Sequence, residues 1–208
     1  MARAQVLRLR LSGRTPADES HRKVVSGEAW AEFCDTLKAA GAALLAADAP
    51  LDPLSQAEGV RYLSRLTRVG LEAFVECADP LAPKLIALAN GFRDARVCIG
   101  ADSPDNLYEN ATLSNEHVYR LVGSRGTVHY LGLGSNAGSY GKPGGLATVD
   151  YKEAAELSPA GRPDAQLDVL VCTKQNRPAG HSGDWLEMAS EIEPHQLIVR
   201  QTFLNRSE

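Results

Sequence analysis

Asp102, Asp105, Asn106, Tyr108 and Asn110 crowd into one short stretch, Gly100-Ala101-Asp102-Ser103-Pro104-Asp105-Asn106-Leu107-Tyr108-Glu109-Asn110-Ala111. Two carboxylates, two amides and a phenol can orient a polar substrate, since each offers directed donors or acceptors. Asp, Asn, Ser and Pro favour loops, and loops on a rigid scaffold are where binding groups concentrate. His129 adds an imidazole whose unperturbed pKa of about 6.5 suits a proton shuttle. The expected catalytic set is therefore His129, Tyr108 and Asp105, with Asp102, Asn106, Asn110, Arg120 and Tyr130 as ligand-binding residues. The same stretch also fits an Asx-type turn whose side chains satisfy backbone donors, with Leu107 and Tyr108 packed inside.

His129 and Arg120 join this set through an expected hairpin. Val118–Val122 and Thr127–Leu133 flank Gly123-Ser124-Arg125-Gly126. With those four residues as the loop, Val122 faces Thr127, Arg120 faces His129 and Tyr119 faces Tyr130. Tyr119, Leu121, Val128 and Tyr130 then share the core face, and His129 lies beside Arg120 on the other. If the strand after the Asp102 loop pairs with the Thr127 strand, His129 approaches Tyr108 or Asp105.

Other motifs fail on their mechanics. Gly132-Leu133-Gly134-Ser135-Asn136-Ala137 has dinucleotide-type spacing, but the Gly- and Pro-rich residues after it do not open the required helix. Gly141-Lys142 lacks the glycine five positions earlier and the hydroxyl that follows in a phosphate-binding loop. Gly134-Ser135-Asn136-Ala137-Gly138 has Asn where a nucleophile elbow needs Ser. The stretch is expected to be a flexible loop able to cover a ligand. His181, Asp184 and His195 lack a second close ligand pair, so no metal is assigned; no cofactor is expected. Trp185-Leu186-Glu187-Met188 reads as a core strand, with stacking on a ligand as the alternative.

The elements that position these residues follow from periodicity. Leu7, Leu9 and Leu11 alternate with arginines as in a short strand, and 13–26 reads as loop. Trp30, Phe33, Leu37, Ala40 and Leu44 mark a helix over about 28–46. A second helix begins at Asp52-Pro53, capped by Asp52 or by a Ser55/Glu58 capping box, with Val60, Leu63, Leu66 or Thr67, Leu71 and Phe74 as its apolar stripe. Arg61, Arg65 and Arg68 form a solvated face with Glu58 and Glu72 as ion-pair partners, or an anion site. A shorter helix is expected over 82–89. From Val97 onward, β-branched runs between Gly, Pro and Asn clusters read as antiparallel strands, including 167–173 and 196–204, with a turn at 158–163. The order gives an α+β fold: a basic arm over 1–25, a helical region over 26–95 and an antiparallel β-sheet region over 96–208.

Residues 99–111, reading IGADSPDNLYENA, resemble a motif of an uncharacterised bacterial family catalogued as domain of unknown function twelve-fourteen. The stretches AEGVRYLSRL (57–66), RGTVHYL (125–131) and LIVRQTFL (197–204) agree with it. The resemblance implies an antiparallel, jelly-roll-like β-sandwich with helices packed on it. It also implies members roughly twice as long as this chain, with a further carboxy-terminal half. It brings no established reaction.

Composition narrows the partners. The formal net charge is −4, which argues against nucleic acid, whose binding needs clustered Lys and Arg. Residues 1–25 carry six basic residues against two acidic ones, a net +4 that leaves −8 elsewhere. The four cysteines are scattered and read as reduced, buried thiols. No apolar run is long enough for a membrane span, and the expected compartment is the cytoplasm. Two functions from different classes are expected. One is a small-molecule-handling protein, with acid/base catalysis in a pocket between β-sheet and helices. The alternative is an interaction module that pairs with a second copy or a complementary polypeptide.

Overall fold

The computed structural model describes residues 16–46, 48–88, 103, 105–153, 155–157 and 166–204. The expected strand at 7–11, the turn at 158–163, Cys98 and Asp102 lie outside them. The chain forms two compact units, Met1–Leu63 and Ser64–Glu208.

In the first unit, helix α1 (Pro16–Ser26) replaces the loop expected over 13–26. Pro16 opens it, where a missing N–H costs nothing. Arg22 bridges Glu19 and Glu28 at 2.6 and 2.8 Å, and Lys23 meets Glu32 at 2.6 Å. Gly27, at φ 79°, turns the chain into α2 (Glu28–Ala43). The stripe expected on α2 is half-buried at Phe33, Leu37, Ala40 and Leu44, while Trp30 stays exposed. Leu44 packs against the bare Cα of Gly59.

Helix α3 (Pro53–Leu71) starts as Asp52-Pro53 predicts: Asp52 Oδ1 accepts the Ser55 N–H at 2.9 Å. Its carboxyl-terminal part lies in the second unit and widens into a π-helical turn, Glu72–Glu76, where the Cys77 N–H reaches the Glu72 carbonyl at 2.9 Å. Val69 and Ala73 are buried there, whereas Val60, Leu66 and Phe74 of the expected stripe are exposed. The π turn rotates the face that a regular helix would present, and Phe74 meets Tyr140 edge-on at 6.1 Å. The helix expected over 82–89 is instead an extended segment with a two-residue strand, β1 (Ile86–Ala87). Pro80 and Pro83 lack the donors a helix would need.

The remaining strands are β2 (Asn106–Leu113), β3 (Tyr119–Ser124), β4 (Tyr130–Gly138), β5 (Leu146–Glu153), β6 (Gln166–Thr173), β7 (Asp184–Met188) and β8 (His195–Thr202). They build a five-stranded sheet ordered β1-β2-β8-β4-β5 and a three-stranded sheet ordered β3-β6-β7. All pairs are antiparallel except β6–β7. The fold is thus α+β and sandwich-like. Leu107, Leu113, Leu131, Leu133, Leu197 and Val199 of the larger sheet share one core with Leu167, Val169, Val171, Leu186 and Met188 of the smaller. Trp185 lies in β7 beside fully buried Leu186, as the core-strand expectation has it.

The hairpin between β3 and β4 does not form. Arg120 pairs with Leu170 of β6, and Tyr130 pairs with Thr202 of β8. Residues 125–129 carry the chain from one sheet to the other. Tyr119 and Leu121 pack against the shared core to which Val128 belongs, whereas Tyr130, expected on the same face, is not part of it. With the hairpin register lost, the buried face of β4 is the one that carries Leu131 and Leu133, and Tyr130 lies on the opposite face.

The glycine-rich stretch is a loop only over 139–145, between β4 and β5. Residues 131–137 are all buried in β4, the strand between β8 and β5. The cysteines divide: Cys172 is buried, Cys77 intermediate and Cys34 exposed, all as free thiols.

Candidate functional site: a tyrosine–arginine face

Because Leu107, Ala111, Leu131, Leu133, Leu197 and Val199 point into the core, strand alternation sends their neighbours to the opposite face of the five-stranded sheet. Register then assembles that face in rows. Asn106 aligns with Thr202 and Tyr130; Tyr108 with Arg200, Gly132 and Glu153; Asn110 with Ile198, Gly134 and Tyr151.

Arg200 is the centre of this arrangement. Its Cζ lies 5.7 Å from the Tyr108 ring centroid and 5.5 Å from that of Tyr130, within cation–π range of both. Its Nε donates to Asn106 Oδ1 at 3.4 Å, and Thr202 Oγ1 donates to the same oxygen at 2.6 Å. The guanidinium is therefore oriented from one side and exposed on the other. Among the described residues no carboxylate lies within ion-pair distance of it, in contrast to Arg22, Arg61 and Arg120.

The second half of the face is phenolic. A Cβ on Gly132 would lie 2.8 Å from Tyr130 Oη and would collide with Tyr151 Oη, so the two hydroxyls converge over the bare backbone. Glycine inside a strand commonly marks such a close approach. Tyr130 Oη donates to Glu153 Oε1 at 3.4 Å. Burial, reinforced by Glu153, pushes the Tyr151 phenol above its ordinary value of 10.0, while Arg200 pulls it back. A guanidinium and protonated phenols on one surface can hold a carboxylate or phosphate by charge-assisted hydrogen bonds.

Four of the sequence-derived site residues, Asn106, Tyr108, Asn110 and Tyr130, share this face. Asn110 is only 4 % exposed, with Oδ1 unpartnered. It lines a gap with Ala73, Phe74 and Cys77 that is too tight to admit water, which puts it beyond a ligand's reach. Among the described residues this is how the π-helical turn meets the sheet, and it leaves no pocket there.

The remaining expected residues lie elsewhere. The Asp105 carbonyl accepts the Phe203 N–H at 2.9 Å and its own N–H donates to Ser103 Oγ at 3.4 Å, a turn that fastens the start of β2 to the end of β8. His129 is exposed, with Arg125 donating to its carbonyl at 2.9 Å. The premise that would bring it to Tyr108 or Asp105 fails, because β8 lies between β2 and β4, a separation of roughly 9–10 Å across two strand spacings. Arg120 belongs to the smaller sheet, where Nε donates to Asp168 Oδ1 at 2.7 Å and a second nitrogen to Oδ2. That pair lines an open polar groove of about 590 Å³ with His181, Ser182 and Asp184.

His181 sits on the groove, its Nε2 3.3 Å from the Asp184 carbonyl, whereas His195 is fully buried in β8. They do not form a ligand pair. His195 and Ser135 are both buried without hydrogen-bond partners.

Sequence reading missed Arg200, Tyr151 and Gly132. A signal existed: glycines at 132 and 134 alternate with Leu131 and Leu133, the period of a strand whose one face is stripped for a covering aromatic.

No family model matches the chain, and neither does any curated protein. Among solved structures it is similar to a crystal structure of an uncharacterised protein from Burkholderia cenocepacia, at 40% identity and a TM-score of 0.75, over 89% of this chain and 48% of that one. The chain spans about half the length of that protein. The likeness carries a fold and no activity.

Proposed function

We propose that the chain is a small-molecule-handling protein whose tyrosine–arginine face binds an organic anion, a carboxylate or phosphate ester. The observation that carries this reading is Arg200, held between Tyr108 and Tyr130 by stacking and by Asn106, with its open side toward solvent and no carboxylate partner among the described residues. Three restraints leave little rotamer freedom to lose on binding, and guanidinium geometry favours bidentate oxyanions. Tyr130 and Tyr151, converging over Gly132, are the acid–base element of any reaction there. His129 takes no part in it. Membership of the uncharacterised bacterial family is part of the same proposal and rests on the IGADSPDNLYENA stretch.

Calorimetric titration with benzoate and with phenyl phosphate tests the site. Saturable binding that weakens about tenfold or more in Arg200→Met, and less in Arg120→Met, supports it. Equal affinities in wild type and Arg200→Met would remove the assignment.

A second reading, association of two copies, is favoured by the apolar side chains that the helical unit leaves exposed: Trp30 at 66%, Leu54 at 72% and Val60 at 57%. Light scattering on the purified chain distinguishes a dimer, dissociated by Trp30→Lys, from a monomer. Among the described residues no helix is long and apolar enough to cross a membrane.

A further inference from the structure

On the opposite side of the five-stranded sheet from Arg200, an apolar groove opens between the two sheets. Ala111, Leu113 and Leu197 of one sheet and Leu121 and Val171 of the other line it, with Pro83 and Leu85 beside them, and it is open to solvent with a volume of about 230 Å³. Water against hydrocarbon walls of this kind lacks polar partners and gives way readily to an apolar ring. An apolar cavity of about 150 Å³ is large enough for benzene. The present volume therefore admits one six-membered ring with a short substituent.

The polar residues on the lining set the substituent. Tyr119 Oη accepts the Ser114 N–H at 2.9 Å, which leaves its own proton to donate. Burial holds that phenol above its ordinary value, so the proton is retained at neutral pH. Arg120 also borders the groove, but Asp168 already neutralises it through two hydrogen bonds. A charged head would find no unmatched cation.

We propose that this groove is a second binding site, for a neutral single-ring organic molecule bearing one hydrogen-bond acceptor, with the ring among the leucines and the acceptor on the Tyr119 hydroxyl. It is independent of the anion site, because it occupies the core face of the sheet and uses none of the same side chains.

Acetophenone is the probe and ethylbenzene, of similar shape without the acceptor, the control. Each is titrated into the methyl-labelled full chain while the Leu113, Leu121, Val171 and Leu197 methyl resonances are followed. Saturable shifts at those methyls are expected, with acetophenone binding about fivefold or more tightly than ethylbenzene, the worth of one hydrogen bond. Tyr119→Phe should equalise the two probes, Ala111→Phe should fill the groove and abolish binding, and Arg200→Met should change nothing. The proposal is overturned by the absence of saturable shifts up to the solubility limit, or by unchanged binding in a folded Ala111→Phe chain. Should that variant not fold, Tyr119→Phe decides: a probe preference that survives it also overturns the proposal.

Discussion

The hydroxyl of Tyr151 occupies the space that a Cβ on Gly132 would fill. Strand β4 therefore supplies bare backbone beneath an aromatic side chain from its neighbour β5, and a glycine that would weaken an ordinary strand is covered by the adjacent ring.

Gly132→Ala should disturb the site more than the fold. The displaced group is the far end of a side chain that is 41% exposed and can rotate outward, so the stability loss stays within about 1 kcal/mol. With burial relieved, the Tyr151 phenol should titrate closer to its ordinary value. Denaturation and a pH titration of the tyrosine signals check both. A loss above about 3 kcal/mol would mean that the ring cannot move.

Two other glycines separate space from backbone conformation. Gly138 has φ 101° and a Cβ there would run into the Gly145 carbonyl oxygen, part of the backbone; Gly141 has φ 76° with open space around it. Gly141→Ala should cost about 1–2 kcal/mol, the penalty for a left-handed residue. Gly138→Ala should cost about 3 kcal/mol or more, since a steric clash adds to the strain. Urea denaturation of the pair is the measurement, and equal losses would contradict the steric account.

His195 should make stability depend on pH. Burial lowers its pKa from the ordinary 6.5, with Glu193 opposing, and neither ring nitrogen has a partner. The folded state therefore binds its proton less readily than the unfolded chain. Its contribution is full above about pH 6.5 and is lost as pH falls from there toward the depressed folded value. His195→Leu should remove that segment of the profile and raise stability at pH 6, because a buried unpaired polar group gives way to an apolar one. Denaturation midpoints from pH 5 to 8 decide the matter; an unchanged slope in the variant would assign the dependence to other groups.

Much of the architecture was legible because it rests on local rules. Apolar spacing marked α2, Asp52-Pro53 marked the start of α3, and β-branched runs marked β6 and β8. Alternation also put Leu121 and Val128 on the core side. Where the π-helical turn begins was not legible, nor was the extended path through Pro83, since each follows from what the segment packs against.

The candidate site divides along the same line. Asn106, Tyr108 and Tyr130 could be singled out by residue type, and a period of two puts the first two on one face, but Tyr130 joins them only through the pairing of β2 and β4 with β8. Their partners could not be singled out. Arg200 sits on a strand that leaves and rejoins the sheet far along the chain, and Tyr151 reaches the face only because β5 pairs with β4. His129 and Arg120, nine residues apart, look like partners across a hairpin, but β3 and β4 belong to different sheets and residues 125–129 cross between them. Hydrophobic alternation determined by itself that these strands have one buried and one outer face, and it put Leu121 on the buried side. Only the tertiary structure decided which strands are neighbours and that Leu131 rather than Tyr130 faces the core, since both depend on packing the two sheets as a whole.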